Sequence, residues 1–167
     1  PDVPAMNEAT VCHPIVDDDL LLIRKQRGLG EGKIVGPGGK IETGETPAEA
    51  ARREVREELH VDPIDVGKRG EFGFHSRDDE PDDDSMFVHV FTAEEIEGTP
   101  TTTEEAEPVW YPADDPPFDE MWATDRIWLP HVLDGESFTG EFVLSDDGES
   151  LLSYEMDLTD VGPWNDE

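Results

Sequence analysis

Between positions 38 and 61 the chain reads GGKIETGETPAEAARREVREELHV, and this stretch constrains the fold more than any other. Thr46 is placed to cap a helix, Pro47 to occupy its first turn, and Glu49 to close a capping box back onto Thr46. Ala51, Val55 and Leu59 recur every four residues, which gives one apolar stripe to bury. The spacing therefore predicts a helix over 47–59, entered from a loop containing Gly36, Gly38 and Gly39, where backbone can approach a ligand closely.

Glu54, Glu57 and Glu58 stand at i, i+3 and i+4, so a helix carries all three carboxylates on one face. Clustered carboxylates repel one another, and a divalent cation among them relieves that repulsion. Hard oxygen donors suit Mg²⁺ or Mn²⁺, and such sites commonly include substrate phosphates. In a chain with 43 Asp and Glu, the competing reading is a solvated acidic helix face. What separates the two is the rest of the pattern: Gly39, five residues, Glu45, seven residues, Arg53-Glu54-Val55, one residue, Glu57-Glu58. Glu45 and Arg53 are in addition placed to pair across the loop.

This pattern resembles the Nudix box. It departs only where that box ends in Gly, which is His60 here. The Gly closes the helix in a left-handed conformation, which His can also adopt at some cost. The resemblance implies an α/β (α+β) fold, an α/β/α sandwich around a mixed sheet, and hydrolysis of a diphosphate bond with Mg²⁺, or Mn²⁺, as cofactor. It assigns Gly38 (or Gly39, by its carbonyl), Glu54, Glu57 and Glu58 to the metal. Glu105, outside the box, is a further candidate for metal or catalysis, with an ordinary surface acid as the alternative. The general base falls to Glu57 or Glu105, and Arg53 joins the catalytic set.

Further segments are similar to the oxidised-purine nucleoside triphosphatases, the 8-oxo-dGTP diphosphatase branch of the MutT-type Nudix enzymes. They are residues 25–30, 88–91, 98–100, 109–111, 117–122, 138–140 and 152–154, so the similarity runs from about Thr10 to Leu158. In that branch a Trp stacks on the purine and carboxylates read its edge. This implies Trp122 as the stacking residue and Asp125 as the reader, with an ordinary core aromatic as the alternative for Trp122. Four positions depart from the branch: Thr124 replaces an aspartate, Val35 an asparagine, and Pro37 and Leu29 phenylalanines. Loss of polar readers is expected to change discrimination more than hydrolysis. Within enzymes the alternative is a Nudix hydrolase of ADP-ribose or a dinucleoside polyphosphate. Outside them it is a non-catalytic nucleotide-binding domain, against which the intact acidic triad argues.

The net charge is −31 over 167 residues. Acids are dispersed along a patterned chain rather than gathered in a tail, which predicts a folded protein with an acidic surface. The reading is a cytoplasmic protein from a high-salt organism. Eight of the 12 Lys and Arg lie between positions 24 and 56, against five acids in that window. A chain that repels anions elsewhere keeps its cations there, and Lys25 and Lys40 are the candidates for contacting substrate. The charge argues against a nucleic acid polymer as partner. The single cysteine, Cys12, leaves no disulfide framework or thiolate zinc site. No apolar run approaches membrane-spanning length. The expected state is a monomer, with a dimer as the alternative.

Residues 1–9 read as an N-terminal arm, 10–160 as a single domain and 161–167 as a tail. Strands are predicted at 10–16, 20–25, 66–77, 85–93, 109–111, 138–144 and 151–158, with another beginning at Ile34-Val35. Asp17-Asp18-Asp19 and Asp146-Asp147-Gly148 read as turns. A second helix over 125–133 would bury Ile127, Trp128, His131 and Val132, with Pro130 kinking or breaking it. Because salt shortens the reach of like-charge repulsion, the melting temperature should rise as KCl goes from dilute to molar. A flat or falling Tm across that series removes the high-salt reading.

Overall fold

The computed structural model describes residues 7–27, 31–76, 86–145 and 150–158. The predicted 146–148 turn, the acidic loop around Pro81, Leu29, most of the N-terminal arm and the 161–167 tail lie outside them. The elements in order are β1 (Asn7–Val16), β2 (Asp19–Lys25), β3 (Ile34–Val35), β4 (Gly38–Lys40), α1 (Pro47–Leu59), β5 (Asp62–Ile64), β6 (Gly67–Ser76), β7 (Met86–Ala93), β8 (Glu95–Glu97), β9 (Ala106–Pro112), a 3₁₀ turn (Phe118–Glu120), α2 (Asp125–Leu133), β10 (Phe138–Leu144) and β11 (Leu151–Leu158).

Nine strands form one mixed sheet in the order β11-β10-β6-β7-β1-β2-β3, with β4 also pairing β1 and β9 pairing β2. β1–β7 and β6–β10 are parallel, and the remaining pairs are antiparallel. β5 and β8 form a separate two-stranded ribbon. The sheet is mixed, as predicted, and its two faces carry separate cores. Alternation along β2 shows this directly. Leu21 and Ile23 pack with Ala51, Val55 and Leu59 of α1. Leu20 and Leu22 pack with Trp128, Leu129 and Val132 of α2. One strand buried on both faces accounts for its unbroken apolar run.

Local chemistry explains the turns. Ile15 pairs with Leu20 and Val16 with Asp19, leaving Asp17 and Asp18 as a two-residue hairpin loop, both with positive φ (53° and 71°). Asp tolerates that region better than most side chains, and such loops match the twist of the strands they join. Helix α1 ends on His60 at φ 62°, ψ 35°, its N–H bonded to the Arg56 carbonyl. Histidine thus takes the left-handed cap expected of glycine.

Three readings need correction. β1 starts at Asn7, inside the segment read as an arm. The short strands β4, β5 and β8 escaped the sequence, being three residues each. Helix α2 runs through Pro130 without a break, and its buried apolar face is Trp128, Leu129 and Val132. Leu129 takes the place given to His131, because the His131 ring reaches out to bond Glu136 at 2.7 Å; Ile127 packs only partly buried.

His13 is an unusual occupant of the α2-side core. It is 2% exposed and meets Trp128 edge-on at 5.6 Å between ring centroids. A side chain on Gly36 would begin 2.8 Å from its Nε2, so the glycine loop closes over this ring. Burial holds the imidazole neutral and lowers its pKa from 6.5 to about 4. Stability is then complete above pH 6.5 and falls as pH drops toward 4, where the unfolded chain takes up a proton that the folded one refuses. His13→Leu should remove that component, about 3 kcal/mol at roughly 1.4 kcal/mol per pKa unit. In chemical denaturation the gap between variant and wild type should widen between pH 7 and 4; a constant gap would contradict the burial argument.

Candidate active site

Arg53 organises the glycine loop and the start of α1. Its Nε and Nη2 grip both oxygens of Glu45 at 2.6 and 3.0 Å. Nη2 also donates to the Lys40 carbonyl at 3.1 Å. Nη1 reaches Glu54 at 3.0 Å and Glu57 at 3.2 Å. The planar guanidinium therefore ties loop to helix, a task that its fork of donors suits and an ammonium does not. The predicted Glu45–Arg53 pair is formed, and the guanidinium holds the Glu45 carboxyl below its usual range. The predicted capping box is also formed, with Thr46 Oγ1 accepting from Glu49 at 3.1 Å and Glu49 Oε1 accepting from Thr46 at 2.9 Å.

Gly39 presses against this helix and Gly38 against β1. A side chain on Gly39 would begin 2.5 Å from Glu54 Oε2, and one on Gly38 would begin 2.1 Å from the Thr10 carbonyl. Gly38 N–H donates to Glu58 Oε1 at 3.0 Å. Glu58 is 7% exposed; burial, then the charge of Glu54, pushes its pKa up to about 8, against the pull of the Gly38 N–H and Lys25. Burial likewise raises Glu54.

Glu54, Glu57 and Glu58 share a helix face as predicted. Among the described residues, however, no three acids, histidines or cysteines converge closely enough to ligate one ion. Each glutamate takes a nitrogen donor instead: Arg53 for Glu54 and Glu57, and the Gly38 amide for Glu58. The donor set nonetheless suits a divalent cation. A buried carboxylate, Glu58, and a partly buried one, Glu54, repel each other against a glycine backbone with no room for a side chain, and a cation between them would relieve both the burial and the repulsion.

Glu105 directly precedes β9, whose first residue Ala106 pairs with Lys25, and its carbonyl accepts from the Gln26 N–H at 2.9 Å. Its carboxylate is held by Arg27, through Nε at 2.9 Å and through Nη2, which lowers its pKa. It remains near enough to Glu58 for their charges to repel. Thr103, which the sequence did not single out, joins the two acids. Its hydroxyl donates to the Glu58 carbonyl at 3.1 Å and accepts from the Glu105 N–H at 3.2 Å. A threonine in a loop has no periodic signature, so nothing short of this geometry could have found it. Lys40 is exposed at the end of β4.

Trp122 and Asp125 come together at the N-terminal end of α2. Asp125 is buried; desolvation raises its pKa to about 7, against hydrogen bonds from the Trp122 amide and Thr124 hydroxyl and the charge of Lys33. Thr124 is itself buried. Lys33 Nζ stands 4.9 Å from the centroid of the half-buried Trp122 ring. The Lys33 carbonyl accepts the Lys25 N–H at 3.0 Å, so the acid-rich and aromatic clusters are one backbone hydrogen bond apart. Val35 packs on the α1-side core, and the Pro37 carbonyl accepts from Cys12.

A pH dependence follows for Glu58. In the unfolded chain its carboxyl ionises near 4.5, and in the folded one near 8. Folding is therefore least penalised below 4.5, and stability is lost as pH rises through that window. With chelator present, Glu58→Gln should raise Tm over wild type by a margin that grows from pH 5 to 8, while divalent-ion binding by titration calorimetry is lost. An unchanging margin would remove the burial argument.

Comparison with known proteins agrees with this geometry. Residues 6–132 match the NUDIX domain family. The chain is 36% identical over 137 residues to the oxidized purine nucleoside triphosphate hydrolase of Mus musculus, covering 82% of this chain and 85% of that one. The Danio rerio protein of the same name is 41% identical over 123 residues, covering 74% and 77%. A crystal structure of a MutT protein from Bacillus halodurans superimposes with a TM-score of 0.80 at 30% identity, over 91% of this chain and 98% of that one. Nudix hydrolases generally use divalent metal ions and act on nucleotide substrates. No helix among the described residues is long and apolar enough to cross a membrane. With its box helix, glycine loop and mixed sheet in place, the chain belongs to the Nudix family of hydrolases.

Proposed function

We propose that this hydrolase acts, with Mg²⁺ or Mn²⁺, on purine nucleoside triphosphates, oxidised ones included, and releases the nucleoside monophosphate and pyrophosphate. Residues 10–160 serve as one catalytic domain. The observation that supports the reading is the Lys25–Lys33 backbone hydrogen bond: Lys25 acts on Glu58 and Glu105, and Lys33 lies over the Trp122 ring. A triphosphate and its base can then be held at once. The names of the mouse and zebrafish relatives support the purine assignment.

Glu54, Glu57 and Glu58, with the Gly38 carbonyl and Glu105 as further oxygen donors, would hold the metal. A bound divalent ion supplies charge neutralisation on the phosphates and lowers the pKa of water. Lys25 and Lys40 attract and orient the phosphate chain. Arg53 fixes Glu54 and Glu57 relative to the loop. The proton of the attacking water goes to Glu57 or Glu105. What favours Glu57 is that Arg27 holds Glu105 as a weakened base, whereas Glu57 is 59% exposed and shares a single nitrogen of Arg53. Trp122 stacks on the purine, and Asp125 bonds its edge. The acidic surface is that of a protein adapted to high salt.

Glu57→Gln keeps the size of the side chain and removes its charge. Pyrophosphate release from a purine triphosphate in molar KCl should fall about a hundredfold or more, the range in which loss of a general base is felt. The circular dichroism spectrum should not change. Near-normal turnover in this variant would sink the assignment.

A further inference from the structure

The neighbourhood of Trp122 contains a second ionisable group besides Asp125. Lys33 Nζ lies 4.9 Å from the Trp122 ring centroid, and its charge acts on the Asp125 carboxyl. Lys33 also lines a cavity of about 370 Å³ whose walls include Phe118, Met121 and Ile127 and the charged Asp119 and Arg126, the neighbours of Trp122 in sequence rather than Trp122 itself. Aromatic rings in van der Waals contact lie about 3.5 Å apart. Because the ammonium itself lies over the ring, a base stacked on that face would have to be offset to one side of it, and it would then meet the ammonium at its edge.

An ammonium donates and never accepts. The edge of guanine that carries O6 and N7 offers two acceptors side by side, the most frequent partner of a basic side chain that reads a base. Adenine places its N6 donor where guanine has O6. An ionised Asp125, near enough to Lys33 to feel its charge, accepts only, which matches the N1–H and N2 amino donors of guanine. A cation and a carboxylate around one aromatic platform thus complement a 6-oxopurine and oppose a 6-aminopurine. Val35 and Thr124 do not supply this reading: Val35 has no polar atom, and the Thr124 hydroxyl is committed to Asp125.

We propose that Lys33 is a specificity-determining residue, donating to the O6 edge of the base and selecting 6-oxopurine over 6-aminopurine nucleotides. Oxidation at C8 leaves O6 in place but converts N7 into an N–H donor, so on oxidised guanine the Lys33 contact is to O6 alone, and the selection against a 6-amino group remains. The proposal rests on the reading of the Trp122 cluster as a base site, and the experiment separates the two.

Wild type, Lys33→Met and Lys33→Arg are compared on dGTP, dITP and dATP for kcat/KM. Binding of dGMP and dAMP is followed by tryptophan fluorescence. Wild type should favour dGTP and dITP over dATP. Lys33→Met should lose about tenfold or more of that preference, mostly in KM, while Lys33→Arg should keep most of it. Equal loss on all three substrates would make Lys33 a phosphate contact and overturn the proposal, as would an unchanged ratio. Should no triphosphate be hydrolysed by wild type, the hydrolase reading fails on its own. The ratio of dGMP to dAMP dissociation constants in the two variants then still decides for or against Lys33.

Discussion

The guanidinium of Arg53 stands among Glu42, Glu45, Glu54 and Glu57, and the geometry of the site depends on it. One delocalised charge with five donors meets the loop from one side and the helix from the other. Without it, Glu54 would be a partly buried carboxylate facing Glu58 and Glu57 with no compensating charge. Breaking such a pair costs more than forming it contributes, because the stranded charge stays desolvated. The same cation leaves Glu58 untouched. That acid takes its donor from the Gly38 amide instead, and burial, then the charge of Glu54, pushes its carboxyl up to about 8. A site built this way is ordered around one fixed cation and left short of a second.

Close approach of backbone is what makes the arrangement possible. Gly36, Gly38 and Gly39 are needed for contact rather than for unusual dihedrals, since none has positive φ. Each faces a different neighbour: the His13 ring, the Thr10 carbonyl and the Glu54 carboxylate. The loop is thus clamped between the α2-side core, the central strand β1 and the helix α1. The aromatic cluster and the acidic face are therefore set by the same few residues of backbone, and a change in one should be felt in the other.

The box helix, its capping box, the left-handed His60 and the Glu45–Arg53 pair were all legible in the sequence, because each depends on fixed spacing along one local element. The strand over 20–25 was legible too, although its burial on both faces was not. What escaped has a common physical cause. Thr103, the Arg27–Glu105 pair and the position of Lys33 over Trp122 arise where separate segments meet, and no periodicity marks such meetings. The α2 face was misread by one residue. His131 has the right helical offset, but its ring finds a better partner in Glu136 at the surface, whereas Leu129 has none outside the core.

The net charge of −31 makes the placement of the few cations the most selective feature of the chain. Arg24, Lys25 and Arg27 leave the end of β2 on alternating sides. Arg24 pairs with Glu120 toward α2, and Arg27 with Glu105 beside the acidic face of α1. Between them Lys25 acts on both Glu58 and Glu105 and is bonded through its backbone to Lys33. Screening by salt weakens the diffuse repulsion of the surface far more than these short contacts, because groups in direct contact at 3.2 and 2.9 Å leave no room for an intervening ion, whereas the diffuse repulsion acts over distances well beyond a Debye length of about 3 Å at molar ionic strength. High salt would then relax the surface while leaving the cationic seam intact.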